Sequence, residues 1–113
     1  MLLEFSPRDM LINNIHHFAN LEPEKYPLTT RNIHVEFILT LAEYAKANHP
    51  IAIHRLLNNQ MNVSKQLKDL DLMHILSAMI KANSKKNRFQ LLASLGQAYI
   101  DQVLKLKNDD YAL

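Results

Sequence analysis

Residues 75–92 read ILSAMIKANSKKNRFQLL, two apolar runs separated by a polar, basic turn. The runs at 75–80 and 88–92 are too short for independent helices, and apolar runs of this length bounded by turn residues fit strands. Alanine and methionine weaken that assignment. The stretch therefore predicts a small β-hairpin with Lys85 and Lys86 at its tip and Arg88 opening the returning strand. Which fold this makes depends on the elements to either side.

Those elements are helical. The 113 residues hold one glycine and four prolines, with Leu, Ile, Ala, Lys and Gln abundant, so helices dominate and an all-β fold is excluded. The length is that of a single domain spanning 1–113. Ser6 can cap a first helix with Pro7 at its first position, and Met10, Leu11, Asn14, Ile15 and Phe18 recur at helical spacing. Prolines 23 and 27 end this segment, so 1–28 is a helix and connector. A second helix begins near Thr29 or Thr30 and runs to His49 and Pro50, with Ile33, Phe37, Leu41, Tyr44 and Ala45 on one face, widened by Ile38 and Leu39. IAIHRLLNN (51–59) predicts a helix of two turns, and Asn59 caps a fourth helix, QMNVSKQLKDLDLMHIL (60–76), with Val63, Leu67 and Leu70 on its apolar side. After the hairpin, a last helix from about 93 to 108 carries Leu95, Tyr99, Ile100, Val103, Leu104 and Leu106. The fold class expected is mainly α with a small β-hairpin: a winged helix-turn-helix core at 29–92, flanked by the N-terminal helix and by a C-terminal helix and tail at 93–113.

Charge is unevenly placed along this order. Residues 51–90 hold seven basic and two acidic side chains, a local +5, whereas 1–50 and 91–113 together are −3, which leaves the chain at +2. A basic centre between acidic flanks points to a polyanionic partner. Absences narrow the rest. Without cysteine there is neither a disulfide nor a thiol nucleophile, which is compatible with the cytoplasm. No apolar run nears the roughly 20 residues of a membrane span, and the N-terminus lacks the basic start of a signal peptide, so no membrane partner is expected. With one glycine and no HExxH or GxSxG pattern, no enzyme and no cofactor is expected. His16 and His17 are adjacent and diverge by about 100° on a helix, and the scattered His34, His49 and His54 form no ligand spacing, so no metal is expected either.

In a winged helix the third helix enters the DNA major groove and the hairpin contacts backbone or minor groove. Lysine and arginine neutralise phosphate, while Asn, Gln and Ser can reach base edges. The residues placed on double-stranded DNA are Asn59, Gln60, Asn62, Ser64, Lys65 and Lys68 on the helix, with Lys85, Lys86 and Arg88 on the wing.

From Val63 onward, VSKQLKDLDLMHILSAMIKANSKKNRFQLLASLGQAYIDQVL resembles the second half of a MarR-family transcriptional regulator. Leu70, Asp71, His74, Ile75 and Leu76 stand in the register of that family's recognition-helix end, Lys85 and Lys86 at its wing arginine pair, and Leu92, Ala93 and Gly96 where its last helix opens. Three positions depart from the pattern: His74 replaces a glycine, Ser84 an acidic residue and Ala93 a threonine. The resemblance implies a sequence-specific transcriptional regulator, with a small-molecule or protein effector as a further partner. It also implies a homodimer formed by the terminal helices through Met10, Leu11, Ile15, Phe18, Leu95, Tyr99, Val103 and Leu106. The same apolar stripes would otherwise close one chain's own core. The alternative function is a non-catalytic protein-interaction module, an adaptor or inhibitor.

Overall fold

The computed structural model describes residues 6–20 and 28–105, the side chains of 28–32 excepted. It contains five helices: α1 (Pro7–Ala19), α2 (Leu28–Lys46), α3 (Pro50–Gln66), α4 (Leu70–Ala82) and α5 (Arg88–Leu104). No strand occurs among the described residues. The expected hairpin is therefore absent: residues 75–80 lie within α4 and residues 88–92 open α5. The winged helix-turn-helix assignment falls with it.

The physical reason lies in the burial pattern of α4 and α5. Leu72, Leu76, Met79 and Ala82 are all buried, at steps of four, three and three, which is one face of a helix. Leu92, Gly96, Tyr99, Ile100 and Val103 do the same for α5. Each apolar run was a fragment of a longer helical stripe, cut short on paper by polar neighbours that face solvent.

A second correction concerns α3. The segments 51–59 and 60–76 do not form a short helix followed by one capped at Asn59. Residues 50–66 form one helix capped by His49, whose Nδ1 accepts from the Ala52 amide at 3.2 Å. The chain breaks instead at 67–69, where Asp69 caps α4 through a 3.0 Å bond from the Leu72 amide. Ser6 and Pro7 do start α1, Ser6 Oγ accepting from the Asp9 amide at 3.1 Å. The suggested caps Thr29 and Thr30 fall inside α2, and their side chains, like Leu106, lie outside the described residues.

Each helix packs mainly on two others, in a closed ring: α1 on α2 and α5, α3 on α2 and α4, and α4 on α5. Sequential neighbours run antiparallel, whereas α1 and α5 run side by side in one direction, Arg8 lying by Phe89 and Leu11 against Gly96. A Cβ on Gly96 would come within 2.7 Å of Leu11 Cδ1, so glycine lets these two helices approach. Leu11, Ile15, Leu41, Ile53, Leu57, Leu72, Leu76 and Leu92 are fully buried inside the ring. Each such side chain contributes about 1.5–3 kcal/mol relative to exposure. Phe37, Ile38, Leu41 and Ala45 are buried as α2's pattern predicts, while Ile33 and Tyr44 are half-buried.

The ring direction sorts the helix ends. The starts of α1, α3 and α5 and the ends of α2 and α4 gather at one end of the bundle. No helix among the described residues is long and apolar enough to cross a membrane.

Candidate nucleic-acid interface

The connection between α4 and α5, residues 83–87, sits at that shared end, and its exposed side chains include Ser84, Lys85, Lys86 and Asn87. Its position is fixed by two residues that bond inward. Asn83, 7% exposed, donates from Nδ2 to the Pro50 carbonyl at 2.9 Å and thereby ties the end of α4 to the start of α3. Arg88 donates from Nη1 to Asn83 Oδ1 at 3.3 Å and from Nη2 to Asn48 Oδ1, and its guanidinium lies 4.3 Å from the centroid of the Phe89 ring. A turn fastened by two bonds to the α2–α3 connection presents its lysines in a defined place, so less conformational entropy is lost on binding.

The cations around this turn are Lys81, in the last turn of α4, with Lys85 and Lys86 beyond it; all three are exposed, with no ion pair among the described residues. Lys46, at the end of α2, is held 3.6 Å from Glu43 instead. Asn87 caps α5 without a side-chain hydrogen bond. Lys85, Lys86 and Arg88 thus crowd the positive end of that helix dipole, an arrangement unfavourable for α5 and favourable for an incoming anion.

The other residues expected on DNA are distributed differently. Asn59, Asn62 and Lys65 are exposed on α3, and Lys68 is exposed just after it. Lys65 lies about 22 Å along α3 from Pro50, at 1.5 Å per residue, so Lys65 and Lys68 belong to the opposite end of the bundle from Lys85 and Lys86. Gln60 and Ser64 face inward, at 6% and 0% exposure, and reach no external base. Arg88 is half-buried and serves the turn's own bonds. One continuous surface joining a recognition helix to a basic tip is therefore not formed.

Gln60 instead belongs to a polar cluster inside the ring. Its Nε2 donates to Tyr99 Oη at 3.0 Å, and Tyr99 Oη stands 2.8 Å from His34 Nδ1. The phenol oxygen accepts from Gln60 and also bonds His34 Nδ1, the tautomer of the imidazole setting which of the two donates. Burial pushes the His34 pKa down to about 4, against a smaller upward pull from Asp69. Burial likewise drives Tyr99 well above its ordinary range; the Gln60 hydrogen bond opposes this and the Asp69 charge adds to it. Ser64 Oγ, one turn beyond Gln60, is buried with no hydrogen-bond partner among the described residues. No sequence motif pointed to this cluster; the only trace was polar residues at 60 and 64 recurring with the apolar spacing of Ile53 and Leu57.

The terminal helices spend their stripes within the chain. Leu11, Ile15, Phe18, Tyr99 and Val103 are buried in its own core, Leu95 is half-buried, and Met10 remains 50% exposed. No group of three or more His, Asp or Glu able to hold a metal occurs among the described residues. No protein-family model, no curated protein and no solved structure matches the chain.

Proposed function

We propose that this chain is a non-catalytic binding module, in a reducing compartment such as the cytoplasm, whose basic end engages the phosphate backbone of double-stranded DNA. One observation carries the reading: Lys81, Lys85 and Lys86 are exposed together around a turn that Asn83 and Arg88 hold in place. Lysine attracts phosphate as a point charge, without the planar fork that arginine offers to a base edge. With Gln60 and Ser64 inside the core, the contact favoured is to backbone rather than to sequence.

The test is the salt dependence of binding to a random-sequence duplex. Three phosphate contacts lower affinity roughly 40-fold between about 50 and 200 mM salt, a slope of about −0.9 per contact. Replacing Lys85 and Lys86 by alanine should reduce that slope by about 2. Absence of duplex binding at the lower salt, or an unchanged slope in the double variant, would refute the reading.

A second reading, a protein-interaction module acting as an adaptor or inhibitor, is favoured by a separate observation. Ile51, beside these cations in the first turn of α3, is 61% exposed.

A further inference from the structure

A singly exposed isoleucine on a protein surface needs no explanation. Ile51 is not single. It lines a groove of about 500 Å³ between the start of α3 and the end of α4, together with Pro50, His54, Ile80, Lys81 and Ser84. It also lines the adjoining cleft between α2 and α3 with Tyr44, Ala52 and Leu56, so it forms a ridge with a hollow on either side. The Asn83 bond to the Pro50 carbonyl ties the two helices that wall the first groove together at their ends.

Charge selects the occupant. None of the described residues lining the α3/α4 groove is acidic, Lys81 forms part of its wall, and Lys85 and Lys86 are exposed on the turn that follows. An apolar floor with Lys81 in its wall and two more lysines on the turn that follows is unsuited to nucleic acid alone, whose backbone offers charge but no aliphatic surface for Ile51 and Ile80. A peptide that carries aliphatic or aromatic residues at helical spacing on one face and carboxylates on the other satisfies both features. We infer that the groove is a docking site for an acidic amphipathic helical segment of a protein partner, its apolar face set on Ile51 and Ile80 and its carboxylates on Lys81 and Lys85. This rests on the protein-interaction reading, and because it shares Lys81 and Lys85 with the duplex reading, the two ligands would compete.

A display library of random 16-residue peptides selected on the folded protein tests the inference. Enriched peptides should combine Asp or Glu with apolar residues three and four positions apart. A synthetic representative, followed by fluorescence anisotropy, should lose at least tenfold in affinity with Ile51→Asp and with Lys81→Glu. Both side chains are exposed, and an unchanged helical circular dichroism spectrum establishes that the fold is kept. As a measurement independent of any variant, methyl resonances of Ile51 and Ile80 in the wild-type protein should shift first as the peptide is added. No enrichment, enrichment without that pattern, full binding by Ile51→Asp, or shifts centred elsewhere would each overturn the proposal. So would random duplex DNA, rather than the peptide, proving to be the ligand that moves the Ile51 and Ile80 methyls. Loss of peptide binding in Ile51→Ala with duplex binding and its salt slope retained would separate the two readings.

Discussion

At the scale of single residues, the most consequential side chain is His34. It is fully buried and hydrogen-bonded to Tyr99, and burial lowers its pKa from the ordinary 6.5 to about 4. The unfolded chain therefore binds more protons than the folded one between these values. Stability conferred by the neutral imidazole is complete above about pH 6.5 and is lost as pH falls toward 4, amounting to about 3 kcal/mol at the lower limit. Urea unfolding at pH 7, 5.5 and 4.5 should show this decline in the wild type. His34→Gln should be less stable at pH 7 and nearly flat across the same interval; equal slopes for the two proteins would show that His34 is not the group responsible. Nothing in the sequence pointed to this role, because a histidine among apolar residues on α2 has the same neighbours in the chain whether it faces solvent or Tyr99, which lies 65 positions away.

At the scale of elements, two of the helix connections repeat one device. After α2, the Asn48 amide bonds to the Ala45 carbonyl and the His49 amide to the Tyr44 carbonyl, each at 3.1 Å, with Asn48 at φ 51°. After α3, Lys68 bonds to Lys65 and Asp69 to Ser64, again at 3.1 Å, with Lys68 at φ 58°. Both are left-handed helix ends whose next residue, His49 or Asp69, caps the helix that follows. Asparagine tolerates that conformation and lysine does not, at a cost of about 1–2 kcal/mol. Lys68→Gly should therefore raise stability by about 0.5–1 kcal/mol after the added chain entropy of glycine, seen as a higher urea midpoint with unchanged slope. Duplex affinity should stay as it was, since Lys68 is at the far end of the bundle from Lys85. The first corner was legible through Pro50. The second was not, because Leu67–Lys68–Asp69 contains neither glycine nor proline, whereas Asn58, Asn59 and Gln60 imitate a break that does not occur.

At the scale of the whole molecule, α1 and α5 lie side by side and use their apolar stripes inside one chain. A terminal-helix dimer would need those faces outward. Light scattering at micromolar concentration should return the mass of one chain, 13.1 kDa. Tyr99→Asp should abolish cooperative unfolding rather than change association, because a carboxylate at a fully buried site bonded to His34 and Gln60 would be unpaired. A mass of two chains that Tyr99→Asp reduces to one while helicity persists would contradict this arrangement.

The sequence by itself determined that the molecule is mainly helical, where α1 starts, which face of α2 is buried and that basic residues concentrate at 51–90. These follow from proline, capping residues and local periodicity, all of which act within a few positions. Only the tertiary structure decided that 75–80 and 88–92 are helical. It also showed that Gln60 and Ser64 point inward and that Lys85 and Lys86 stand at the opposite end of the bundle from Lys65 and Lys68. A short apolar run fits a strand or a turn of helix equally well until a partner surface selects one, and here the partners are α3, packed on α4, and α1, packed on α5, remote in the chain and adjacent in the core.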